Sequence, residues 1–140
     1  MKEIFTVMGK PVAWERAGRV GNFYFDKQRN EKMLFAHVVK TAMKGSSFHS
    51  KPVKVVVEYN MPLAPSLSKK QRDMRLLKPH PFTPDLDNLL KFLFDALNKV
   101  LWKDDRLIYE VHARKTWGSE PKLILGVEEY DNSDFSNLFK

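Results

Sequence analysis

Leu86, Leu89, Leu90, Leu93, Phe94, Leu97, Val100 and Leu101 recur at intervals of one, three and four. That spacing predicts a helix over 85–100 whose apolar stripe is too wide to face water. Such a helix has to lie on a sheet. In "PVKVVVEYNM" (52–61), Val53, Val55, Val57, Tyr59 and Met61 fall on one face, and Lys54, Glu58 and Asn60 on the other. This is the period of a half-buried strand. Strands are also predicted over 3–9, 106–117 and 121–130, the last two joined by a turn at Gly118-Ser119 into a hairpin. "FYF" (23–25) reads as a short strand after a loop over 10–22. Asp26 then caps a second helix over 27–44, with Met33, Leu34, His37, Val38 and Ala42 on one face and Gly45 as its stop. The segment 62–84 is polar, basic and proline-rich, with a short helix near 67–76. Its length marks a functional loop rather than a simple connection. The order of elements implies a single small α/β (α+β) domain over 1–130, a mixed sheet packed by two main helices, followed by a polar tail over 131–140.

The chain is basic, with a formal net charge of +7 over 140 residues. An anionic partner follows, nucleic acid first and a membrane surface second. The absence of cysteine excludes disulfides, thiolate metal sites and a Cys nucleophile. No apolar run reaches the roughly 20 residues of a membrane span, and "MKEIFTVMGK" lacks the apolar core of a secretory signal. A soluble cytoplasmic protein without a membrane association is expected.

Against this basic background, "PDLDNLLKFLFDALNKVLWKDD" (84–105) gathers aspartates at both ends of the predicted helix. Each has an ordinary structural use. Asp is a preferred N-cap, a first-turn Asp complements the helix dipole, and Asp87 with Lys91 is an i, i+4 pair. Together they resemble a site for a hard cation, because oxygen ligands suit Mg²⁺ and crowded carboxylates repel unless a cation neutralises them. Spacing leaves open whether the two groups meet. The helix is about 22 Å long, and a strand leaving at Arg106 antiparallel to it carries Asp104 and Asp105 away from Asp85. If three carboxylates converge, metal-dependent phosphodiester hydrolysis is the chemistry they suit.

"TPDLDNLLKFLFDALNKVLWKDDRLIYEVHARK" closely resembles the core of the RusA family of crossover junction endodeoxyribonucleases, common in bacteriophages and prophages. The matching motifs are Asp85, Asp87, Asn88 and Lys91, then Asp95-Ala96-Leu97-Asn98, then Trp102, Asp104 and Asp105. "GKPVAWERAGR" adds a weaker match to the family's arginine-bearing first loop. The resemblance implies a RusA-like fold and a bacterial homodimer that cuts four-way (Holliday) junctions and related branched DNA with Mg²⁺, or Mn²⁺ in its place, and without a small-molecule cofactor. It assigns Asp85, Asp87 and Asp105 to the metal and Lys91 to catalysis, and it implies that these groups meet; the role of Asp104 stays open. The chain departs from the family pattern just before Asp85, where "HPFTPD" replaces a basic run.

Arg16, Arg19, Lys69, Lys70, Arg72, Arg75 and Lys78 are candidate phosphate contacts. Trp14, Phe23 and Tyr24 could stack on exposed bases, with core packing the expected fate of at least two of them. His80 is expected to be a solvated loop residue, and His37 and His112 structural; the four histidines lack zinc-like spacing. Two other classes compete with a nuclease: a non-catalytic binder of branched or single-stranded DNA, and a structural protein whose acids only cap helices.

Overall fold

The computed structural model describes residues 2–131. The chain folds as β1 (Lys2–Met8), β2 (Gly18–Val20), β3 (Phe23–Phe25), α1 (Arg29–Ala42), β4 (Val53–Pro62), α2 (Lys69–Arg75), α3 (Leu86–Leu97), a 3₁₀ turn (Asp105–Leu107), β5 (Ile108–Gly118) and β6 (Lys122–Glu129). Four strands form one mixed sheet in the order β1-β6-β4-β5, and β2 and β3 pair separately. This is the expected α+β class. Most of the polar tail, residues 132–140, lies outside the described residues.

β4 is the strand its alternation predicts, with Val53, Val55, Val57, Tyr59 and Met61 all buried. α3 lays Leu89, Leu93 and Leu97 into the same core. β4 pairs parallel with β5 and antiparallel with β6. β5 and β6 therefore do not form the expected hairpin, because β4 lies between them. The short link over 119–121 instead crosses the end of β4, beyond Pro62. Gly118 makes this close passage possible, since a Cβ there would meet the Asn60 side chain at 2.6 Å.

The expected face of α1 is also corrected. Met33, Leu34 and Val38 are exposed, whereas Val39 and Met43 are buried and Phe35 packs against them. Two apolar stripes run down this helix about 100° apart, and the α3 contact uses the second, through Phe35 edge-on to Phe92. Asp26 does not cap α1. Its Oδ1 accepts from the Gln28 backbone N–H and its Oδ2 binds Lys32 Nζ at 2.9 Å, two residues before the N-cap, Gln28. The expected loop over 10–22 contains β2. The short helix near 67–76 is α2, closed by a capping box between Ser68 and Gln71.

His49 ties the sheet to the segment that follows α3. It is 5% exposed, with Nε2 at 2.6 Å from Glu3 Oε1 and Nδ1 at 2.8 Å from Glu129 Oε1. Each ring nitrogen of His49 thus faces a carboxylate oxygen at hydrogen-bonding distance. Its backbone donates to Leu101 and accepts from Lys103, which fixes the turn leading to Asp104 and Asp105. The hydrogen bond from His49 holds the Glu129 carboxyl below the usual carboxylate range. Stability from a lowered carboxyl is complete above its unfolded value near 4.5 and is lost as pH falls through the folded value. Glu129→Gln should therefore destabilise the protein at pH 7, and the difference from wild type should shrink towards pH 3. Urea midpoints at the two pH values check this.

Candidate active site

The head of α3 presents three of the expected groups. Asp85 is the N-cap, in an extended conformation with no side-chain cap hydrogen bond. Asp87 lies in the first turn, where its Oδ1 accepts from the Asn88 N–H. Both carboxylates are exposed. Lys91 is one turn further on, but its Nζ sits 3.5 Å from the centroid of the Trp14 ring. Trp14 is in turn held to α3 by its backbone N–H, which donates to Asn88 at 2.9 Å. The indole face fixes the ammonium without neutralising it, one helical turn from Asp87.

The approach to Asp85 is fastened to the sheet. Lys115 on β5 donates to the carbonyls of Phe82 and Pro84 at 2.5 and 2.6 Å. Residues 77–80 run antiparallel along the outer edge of β5, through hydrogen bonds between Leu77 and Trp117, Trp117 and Lys78, and His80 and Lys115. This covers the last residues of an otherwise open sheet edge. His80 is therefore buried rather than solvated, packed edge-on to Trp117 with 4.3 Å between ring centroids. Burial, with Lys115 nearby, lowers its pKa, so it stays neutral at pH 7. The sequence reading missed Lys115. Its signal was a lysine in phase with Ala113, a position that packs on the core, where an ammonium needs acceptors.

Asp105 lies at the other end of α3. Its backbone N–H donates to the side chain of Asn98, the C-cap residue, at 3.1 Å. Asp104 caps the 3₁₀ turn by accepting from Arg106. Burial, with Asp104 beside it and Asp95 near, raises the pKa of Asp105. Asp104 is lowered, chiefly by the Arg106 backbone N–H. The pair is thus a structural cap beside an acid whose charge lacks compensation.

One chain does not bring all four groups together. The twelve residues of α3 set Asp85 and Asp105 roughly 18 Å apart along the helix axis. Among the described residues, no three His, Asp or Glu side chains are close enough to share a metal ion. The donors at the head of α3 still suit Mg²⁺, which commonly takes one or two carboxylates and keeps its remaining positions for water and phosphate.

The candidate phosphate contacts divide. Lys69, Lys70 and Lys78 surround a shallow surface depression beside α2. Arg72 turns back to the carbonyls of Leu67 and Ala64, and Arg75 lies 5.5 Å over Trp117, so both brace the 62–84 segment. Arg16 and Arg19 flank the β2–β3 ribbon. Phe23 and Tyr24 are exposed there, against the expected core packing, and Trp14 is half-buried. His37 is exposed on α1, and exposed His112 binds Glu110 on β5.

Lys115→Met should lower stability by about 1.5–3 kcal/mol, the value of hydrogen bonds from a charged donor. A urea titration would show it, with Lys115→Arg retaining most of the loss.

A family model described as Endodeoxyribonuclease RusA matches residues 8–128 of the chain. A Bacillus subtilis (strain 168) protein described as "Uncharacterized protein YqaN" is 29% identical over 135 residues, which cover 89% of this chain and 94% of that protein. No described helix is long and apolar enough to cross a membrane.

Proposed function

Because the chain belongs to the RusA family of endodeoxyribonucleases, we propose that it resolves four-way junctions and related branched DNA by divalent-metal-dependent phosphodiester hydrolysis within a homodimer. The observation that carries this reading is the head of α3, where Asp85, Asp87 and a positioned Lys91 share an exposed surface on a protein of net charge +7. A pure binder of DNA gains nothing from acid held towards phosphate. Asp85 and Asp87 would hold Mg²⁺, with Mn²⁺ as a substitute. Bound there, the cation supplies charge neutralisation and an acidified water. Lys91, fixed on Trp14, stabilises the charge that builds on the phosphate or orients the attacking water. Lys115 and His80 keep the chain before Asp85 in place. Lys69, Lys70, Lys78, Arg16 and Arg19 contact the backbone of the DNA arms.

Asp105 enters through the dimer. It stands a helix length from Asp87 in its own chain, and its uncompensated charge calls for a cation. A two-fold contact is reciprocal, so Asp105 of one protomer can join Asp85 and Asp87 of the other, and the reverse, making two equivalent sites. Two symmetric sites suit paired cuts across a junction.

Cleavage of a labelled four-way junction and of a matching linear duplex, in Mg²⁺ or EDTA, tests the activity. Paired Mg²⁺-dependent nicks on the junction are expected. Asp87→Asn should abolish them by at least ~10³-fold, the several kcal/mol a metal contributes, while binding persists. Binding without cleavage under any divalent metal would replace the nuclease with a non-catalytic junction binder. Mixing Asp87→Asn with Asp105→Asn tests the shared site. Random exchange of subunits should restore about one quarter of wild-type nicking, because half the dimers carry one intact site of two. If each site lies within one chain, mixing restores nothing.

A further inference from the structure

The β2–β3 ribbon shows its apolar face to solvent. Gly18, Val20, Phe23 and Phe25 share that face, and Arg19 and Tyr24 the opposite one. Val20 is 70% exposed, Phe23 67% and Phe25 40%. The Phe25 ring lies flat over Gly18, where a Cβ would come within 2.3 Å of it. Phe23 stacks near-parallel to Phe25, at 6.4 Å between centroids and 19° between planes. Arg19 lies 5.4 Å over the Tyr24 ring and donates to the Gly21 carbonyl. The aromatic rings are thus held in fixed orientations, although the ribbon has only three residues in each strand.

The base of the ribbon is rigid. Gln28 is 1% exposed. Its Nε2 donates to the Ala13 carbonyl at 2.7 Å, and its Oε1 accepts from the Glu15 N–H at 2.9 Å, so one side chain clasps both ends of the 15–27 excursion. Trp14 lies between those two bonds and is docked on Asn88 and Lys91. The base of the ribbon is therefore joined to the first turns of α3 through Trp14.

We propose that the face formed by Val20, Phe23 and Phe25 stacks on bases exposed at a DNA branch point and gives the protein its preference for branched over linear DNA. This inference rests on the part of the proposed function that directs the protein to branched DNA. Charge selects this occupant over a second copy of the chain. The segment carries Arg16, Lys27 and Arg29, with Arg19 on the opposite face of the ribbon, and the single acid among residues 16–29, Asp26, is already paired with Lys32. Two such ribbons would repel one another, whereas a polyanion is attracted. An intact duplex keeps its bases stacked on each other and offers only phosphates to these cations. A branch point offers unpaired base faces, and stacking on an aromatic side chain is worth roughly ten- to a hundredfold in affinity per base.

The test is binding in EDTA, measured by fluorescence anisotropy on a four-way junction and a duplex of matching sequence, with the full chain. Phe23→Ala should weaken junction binding about tenfold and leave duplex binding unchanged. Phe23→Trp should keep the preference, and Phe23→Leu, apolar but without a ring face, should lose it. Arg16→Gln should weaken both substrates and flatten the salt dependence. Unchanged junction binding in Phe23→Ala, or equal loss on both substrates, overturns the proposal. A lower mass for Phe23→Ala in sedimentation equilibrium also overturns it, assigning the face to a subunit contact. Loss of the junction preference in Phe23→Ala of a protein whose wild type never cleaves would sink the nuclease reading and leave this one standing.

Discussion

The parallel pairing of β4 with β5 fixes where everything else can be. Two parallel neighbours need a connection that returns the chain along the full length of the strands. Here that return is α3, lying against the sheet through Leu89, Leu93 and Leu97. A returning helix starts where the strands end and ends where they start. The head of α3 is accordingly anchored by Lys115, near the end of β5, and its tail leads through Asp105 into the beginning of β5. Acid at both ends of this helix is acid at opposite ends of the sheet. The separation of Asp85 from Asp105 is a property of the topology and cannot be removed by adjusting a loop.

The two ends are held by different means. At the tail, the His49 ring sits between Glu3 and Glu129 and its backbone bonds the residues just before Asp104. β1, β6 and the acidic turn therefore move together. At the head, the fastenings come from Lys115 on one side and from Trp14 on the other. Both use cations in uncommon roles. Lys115 spends its charge on carbonyls and Lys91 rests on an indole face, so neither forms an ion pair that would neutralise Asp85 or Asp87. Acid that is exposed and left unneutralised by its neighbours is acid available to a cation.

What could be read from the residues follows the same physics. β4 and α3 were legible because each has one apolar face and one polar face, at periods of two and 3.6. α2 was legible from its capping residues. The packed face of α1 was not, since Met33-Leu34 and Val38 compete with Phe35, Val39 and Met43, and only the Phe92 contact on α3 decides between them. The pairing of β5 was hidden by the shortness of the 119–121 link, which suits a hairpin and also suits a step over the end of β4. The motif residues at both ends of α3 were identifiable in the chain, yet their distance was not, because it depends on the direction of β5. Lys115 and Gln28 act on backbone groups far away or across a loop, which leaves no local spacing to read.

A chain that keeps two aspartates at each end of one helix is suited to a two-fold partner. An axis crossing α3 near its middle brings the head of one helix beside the tail of the other, and does so twice. The same operation that completes one site completes its equal, roughly a helix length away, about 18 Å. The base of the ribbon is joined to the head of α3 through Trp14, so in such a dimer each head of α3 would carry its own aromatic ribbon. On the proposed function, metal ligands contributed by two chains would make an isolated protomer a poor nuclease. Cleavage would then be confined to an assembled dimer, the form whose two sites could face two strands of one branch point together.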